Sequence, residues 1–132
     1  MKFKYSYYYI TLLVLSLFWL LLGKKFHNNF APFIFFIFGF PVFGVLYFSN
    51  LSKFSSLLKN KEPELFKRNK VEFGYFKDEM VSGITLFNST DFNNLIDTDL
   101  KSSFKILKSN LNYMLFSFVS FGIISILTIF IK

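Results

Sequence analysis

The sequence predicts an all-α membrane protein with three transmembrane helices. The second and third extend into the cytoplasm as an antiparallel helical stalk with a small cap. Three observations predict this. Tyr5–Gly23, Phe30–Ser49 and Tyr113–Ile131 hold no charged residue and run for 19, 20 and 19 residues. At about 1.5 Å rise per residue each is about 29 Å long as a helix, the thickness of a hydrocarbon core of about 30 Å. All eight acidic residues lie in the single long segment between the second and third stretches. Apolar residues recur at steps of three and four on both flanks of that segment. The chain thus divides into 1–49, two spans joined by a short external turn, 50–112, the stalk and cap, and 113–132, the third span.

In span one, Lys2 and Lys4 resemble the basic start of a signal peptide, but the apolar run is too long. It ends in Leu22-Gly23-Lys24-Lys25 without a small-x-small cleavage pattern, so retention is expected. In span two, Pro32 sits in the first turn, where a missing N–H is harmless. Pro41 lies mid-span and should kink the helix, with neighbouring helices satisfying the freed carbonyl. No small-xxx-small pair names a dimer seam.

Beyond the bilayer, Tyr47, Leu51, Phe54 and Leu58 form one apolar stripe. The helix should stop before Pro63, which then suits the first turn of a short helix, Pro63–Arg68, with Glu64 near its positive end. Val71–Ile96 is ambiguous. Val71, Phe73 and Tyr75 alternate like a strand, Phe73, Phe76 and Met80 fit a helix, and Gly74 and Gly83 weaken both. Asn88-Ser89-Thr90-Asp91 reads as a turn before a short helix around Phe92–Ile96. Asp97-Thr98-Asp99 reads as the start of the last helix, with acids at the dipole's positive end. From there Leu100, Phe104, Leu107, Leu111, Met114, Phe118 and Phe121 predict a heptad-like seam running on into the membrane.

Twelve Leu, Ile, Val or Phe residues in span three favour insertion by several kcal/mol, at roughly 0.3–0.6 kcal/mol each. Three spans put the N-terminus and the 50–112 loop on one side, with twelve basic residues against three on the other. The positive-inside rule places that side in the cytoplasm, in a bacterial inner membrane or alternatively an organelle inner membrane. Tyr5, Tyr7, Tyr8, Tyr9, Tyr47 and Tyr113 fall at cytoplasmic span ends, as an anchoring belt would. The 22 Phe beside a single Ala fit codon bias in an AT-rich genome better than an aromatic cofactor box.

Reaction chemistry is hard to place here. The chain has no cysteine, so disulfides, thiolate metal sites and a Cys nucleophile are excluded. His27 is the only histidine and has no carboxylate near it in sequence. Asp97-x-Asp99 begins like a calcium loop but lacks glycine at the sixth position and has Lys108 at the twelfth. Gly39–Gly44 has phosphate-loop spacing with Val45 where lysine is needed. No span holds an ionisable residue of the kind ion and proton pathways use, and the hydroxyls of Ser117, Ser120, Ser125 and Thr128 suit their own helix backbone. No catalytic, cofactor-binding or metal-binding residue is therefore assigned, and no enzyme activity is expected. The loop's ten bases and eight acids leave a net charge of only +2, which does not fit nucleic acid. The run Lys67, Arg68 and Lys70 is a candidate contact for anionic lipid, at about 1 kcal/mol per charge. Exposed Leu65, Phe66 and Phe76 are the candidate docking face for a protein partner or a second copy. Asn50-Leu51-Ser52 and Asn88-Ser89-Thr90 match glycosylation sequons that the predicted topology hides.

Tyr47-Phe48-Ser49-Asn50-Leu51, followed by Leu57-Leu58-Lys59-Asn60-Lys61-Glu62-Pro63-Glu64-Leu65-Phe66, resembles the universal stress protein B family. That family has an apolar span running into Tyr-Phe-Ser-x-Leu, then a helix ending in a basic residue, Asn and an acidic-Pro pair with an aromatic three positions on. Asp97-Thr98-Asp99-Leu100 resembles the acidic start of its last helix. The match covers about twenty residues, and this chain has two spans before the loop where the family typically has one. The resemblance implies a small bacterial inner-membrane protein linked to stationary-phase or envelope stress, and carries over no catalytic residue. Three roles stay open: a non-enzymatic protein that docks a partner through its cytoplasmic part, an accessory subunit of a large membrane complex, or a membrane-permeabilising effector.

Overall fold

A computed structural model describes residues 4–23, 28–71, 79–88 and 90–131. Helix α1 spans Tyr5–Leu22, a short 3₁₀ turn Asn28–Phe30, and a π-helical segment Phe35–Gly39 leads into α2, Phe40–Lys61. There follow α3 (Pro63–Asn69), β1 (Lys70–Val71), β2 (Met80–Val81), α4 (Gly83–Asn88) and the long α5 (Thr98–Phe130). Three helical stretches, Tyr5–Leu22, Phe35–Lys61 and Thr98–Phe130, are long and apolar enough to cross a membrane. The protein is therefore read as an integral membrane protein. The chain forms two compact units: an apolar one, Met1–Val45 with Asn110–Lys132, and a polar one, Leu46–Ser109. The boundaries fall inside α2 and α5.

Local chemistry accounts for the helix ends. Pro63 cannot continue α2, which stops at Lys61, and the proline opens α3 as its first residue, with Glu64 in the first turn. Asp97 caps α5: its Oδ1 accepts from the N–H of Asp99 at 2.9 Å and of Leu100 at 3.1 Å, satisfying two otherwise orphan donors. In span two, Pro41 has no N–H to give Ile37. The turn before it is widened, and the Phe40 N–H bonds to the Phe35 carbonyl, five residues back. The Tyr8 hydroxyl on α1 donates to another carbonyl of this segment, Phe38, at 2.8 Å.

The apolar unit packs Leu12, Leu20, Ala31, Phe35 and Ile124 into a core flanked by Tyr8, Tyr9, Leu13, Ile34 and Phe121. Gly39 lies so close to α5 that a Cβ there would sit 3.0 Å from the Ser117 Oγ. Glycine is what permits the approach. The tyrosines of span one do not simply line an interface. Tyr5, Tyr9 and Phe43 gather around Tyr113, with ring centroids 6.4, 5.7 and 5.4 Å away. Tyr7 remains exposed.

The predicted seam of α5 is kept at Leu100, Leu107 and Leu111, and Phe121 packs against the apolar core, but the seam breaks at Phe118. Leu100 and Leu107 are buried, but Phe118 is 63% exposed while its neighbour Ser117 is 1% exposed. Ser120, Ile124 and Thr128 continue the inward face. Lipid is as apolar as phenylalanine, so turning Phe118 outward costs little, and close approach and hydrogen bonding favour Ser117 at the inward position.

The polar unit has its own core: Leu51, Phe54, Leu58, Leu65, Phe66, Val81, Leu86, Phe92, Leu95, Leu100 and Leu107 are all buried. Phe54 lies 5.6 Å from Phe92 and 5.7 Å from Phe104, and the last two are 5.4 Å apart. β1 and β2 pair antiparallel, Lys70 opposite Val81 and Val71 opposite Met80. The short helix expected around Phe92–Ile96 is instead a turn, in which Asn93 N–H bonds to the Thr90 carbonyl. Tertiary packing decides here: Phe92 and Leu95 are drawn into the core from an irregular turn. The helix of this region is α4, upstream. The strand-like Val71-Phe73-Tyr75 pattern and the helical Phe73-Phe76-Met80 pattern lie mostly outside the described residues, as does His27.

Candidate functional site

The polar unit carries the chain's described clusters of charge. Lys61 ends α2, and its Nζ donates to both carboxylate oxygens of Asp97 at 2.8 Å and to Asp99 Oδ2 at 2.9 Å. These bonds hold the Asp97 carboxyl below its ordinary range, helped by the Leu100 and Asp99 N–H groups, and push the Lys61 ammonium up. The cluster ties the end of one helix to the start of another. Glu79 forms a second cluster, with Lys70 at 2.9 Å and Lys59 at 3.4 Å, and the Lys70 bond holds its carboxyl low. Both clusters are surface pairs, screened by solvent, and contribute little to stability. Among the described residues no three His, Cys, Asp or Glu side chains group as a metal site would require.

The predicted docking face is corrected by its burial. Leu65 is buried and Phe66 is only 2% exposed. Helix α3 turns these side chains inward together with Asn69, whose Nδ2 donates to the Leu65 carbonyl at 3.0 Å and to Asp91 Oδ2 at 3.3 Å. A seven-residue helix whose outward face carries Glu64, Lys67 and Arg68 must turn its apolar face toward the core. Phe76 lies outside the described residues. Of the predicted lipid contacts, Lys67 pairs with Glu64 at 3.1 Å, Lys70 pairs with Glu79, and Arg68 is exposed.

Other side chains are the ones left on the surface of the polar unit. Ile84 and Phe87 of α4 are exposed at 73% and 54%, and Ile96, next to Asp97, is almost fully exposed. One signal could have pointed to α4: Met80–Thr90 is the longest uncharged run between residues 50 and 112. Nothing local marks Ile96, because an Ile beside a helix cap reads as a packing residue.

In the apolar unit, five hydroxyl side chains, Ser16, Ser117, Ser120, Ser125 and Thr128, are at least partly buried and bonded within the protein. Ser16 donates to the Ala31 carbonyl at 2.6 Å, and the Tyr9 and Ser120 hydroxyls bond to each other. Ser117, Ser125 and Thr128 donate to carbonyls of their own helix at 2.8, 2.7 and 2.6 Å. Asn110 differs: it is fully buried and neither carboxamide atom has a hydrogen-bond partner. A shallow apolar notch of about 70 Å³ lies among Phe35, Phe36, Phe40, Ser117, Phe118 and Phe121. Its walls are aromatic and offer no group for acid–base or nucleophilic work. Set against family models, curated proteins and solved structures, the chain matches none of them.

Proposed function

We propose that this is a small non-enzymatic integral membrane protein whose polar unit is a cytoplasmic helical stalk and cap that docks a protein partner. One observation carries the reading. A charge-rich unit has its own buried aromatic core, and α2 and α5 each continue from it into an apolar span. Anchoring alone needs no such body, whereas presenting a surface at a fixed place beside the membrane does. With Leu65 and Phe66 buried, Ile96 becomes the docking residue, beside the Lys61–Asp97–Asp99 cluster.

A photoreactive residue at Ile96 tests this in living cells. A discrete heterologous product is expected at Ile96 and absent at buried Phe66. No product at Ile96, with a lone monomer recovered in mild detergent, overturns it. Comigration with a large assembly on a native gel would make the partner a multisubunit complex and the chain its accessory subunit. A reporter fused near Glu72 tests the sidedness: cytoplasmic is expected and periplasmic contradicts it. The resemblance to universal stress protein B adds a stress-linked role, which induction of the chain at stationary phase would support. The permeabilising reading is disfavoured, because the described span hydroxyls that would line a wet path are already bonded within the protein.

A further inference from the structure

We propose that α4 is an interfacial anchor, with Ile84 and Phe87 seated in lipid at the headgroup level of the bilayer. This goes beyond the docking role and rests on the membrane reading of the three spans.

The argument begins with position. Gly83, the first residue of α4, lies so close to Tyr47 that a Cβ there would be 2.9 Å from the Tyr47 hydroxyl. Tyr47 is two residues short of the end of the charge-free stretch Phe30–Ser49, where an amphipathic ring sits at the lipid–water boundary. The contact fixes the start of α4 at that level along α2. The Lys61 cluster lies fourteen residues further along the same helix, about 21 Å at about 1.5 Å per residue.

Composition agrees with position. α4 belongs to the longest uncharged run of the 50–112 segment, bounded by Glu79 and Asp91. Its two exposed apolar side chains are three residues apart and therefore neighbours on one helix face. Leu86 is buried and holds the helix against the polar unit's core. Two of the polar groups at its start are bonded within the unit. Thr85 donates to the Ser82 carbonyl at 2.8 Å, and the Ser82 N–H donates to the Asn69 carbonyl at 2.8 Å. α4 lacks the basic polar face of a free-standing interfacial helix, but an uncharged segment with Ile and Phe outward, held beside the end of a span, can seat those side chains about 5–10 Å deep without burying a charge. Lipid is the occupant committed to here, because on the membrane reading it would cover the adjoining surface of span two, where Phe48 is exposed and its ring lies 5.2 Å from Tyr47.

The chain has no cysteine, so single cysteines at Ile84, Phe87, Ile96 and Phe118 can each carry an environment-sensitive fluorophore. The full-length protein is reconstituted alone in phosphatidylcholine vesicles. At Ile84 and Phe87, quenching by aqueous iodide is expected to be at least about threefold weaker than at Ile96, with a headgroup-level nitroxide lipid quenching more than a deep one. At Phe118 the deep nitroxide should win. Iodide quenching at Ile84 and Phe87 equal to that at Ile96 overturns the proposal. An aqueous Phe118 overturns the span reading beneath it, so the two failures are distinguishable. Hydroxyl-radical oxidation of the unmodified chain in the same vesicles serves as a label-free check. Phe87 should be as protected as Phe118, and ready oxidation of Phe87 alone counts against α4 as an anchor.

Discussion

From Thr98 to Ser109, α5 buries Leu100 and Leu107 and exposes Lys101 and Lys105 along with Ile106; from Tyr113 to Phe130 it buries Ser117, Ser120 and Thr128 beside Ile124 and exposes Phe116, Phe118 and Val119. The first length packs by the rule of water, where burying apolar area is favourable. The second packs by the rule of lipid, where apolar area is solvated anyway and close approach and hydrogen bonds select the inner face. On the membrane reading, α5 changes solvent along its length, and the burial of its side chains is what that reading expects.

The largest test of that contrast is a pair of truncations. Phe54→Ala removes a fully buried ring from the polar unit and is expected to cost about 3–5 kcal/mol, read by equilibrium unfolding in vesicles or mild detergent. Phe118→Ala removes a ring of the same size from a lipid-facing position and should change stability by less than about 0.5 kcal/mol. Equal losses would erase the distinction.

Next comes Gly39→Leu, which forces a side chain into the Ser117 contact. Overpacking should cost about 1–3 kcal/mol, with Gly39→Ala milder, and an unchanged unfolding midpoint would show that the contact is not close. Asp97→Ala removes the α5 cap and should lower the unfolding midpoint, with Asp97→Asn milder because Asn also caps. Its pH dependence has a definite sign. Because the Asp97 carboxyl is held low, its contribution is full above the ordinary carboxylate value of about 3.9 and is lost as the pH falls through the depressed value. Lys61 is pushed up, so its share is full below about 10.4 and is lost only as the pH rises beyond that. Between these limits an unfolding titration should be flat for this cluster. The smallest effect is expected for Tyr9→Phe, which deletes the bond to Ser120 at about 0.6 kcal/mol, the average for hydrogen bonds between membrane helices.

The sequence was most legible where one local rule acts alone. The charge-free stretches gave the three apolar helices, Pro63 gave the break between α2 and α3, and Asp97 gave the start of α5. The stripe Tyr47, Leu51, Phe54 and Leu58 is buried throughout, as its spacing predicts. Legibility ended where two rules compete. Continuing the apolar seam of α5 through Phe118 applied water's rule inside lipid, and the structure turns Ser117 inward instead. Leu65 and Phe66 stood among charges and so looked like surface, but α3 is amphipathic and turns them to the core. The ribbon of β1 and β2 is two residues per strand and leaves no periodic trace. The Gly39–Ser117 contact joins residues far apart in the chain and could be read only in three dimensions.

The most direct test is a site-directed spin-label scan of α5 from residue 100 to 130 in vesicles, reading collision with oxygen and with a water-soluble nickel complex. The account predicts nickel access on the outward face up to about residue 110. Beyond about residue 113 it predicts oxygen access alone, peaking at Phe118 with a minimum at Ser117. Nickel access extending through Phe118 to Ile126 would contradict it.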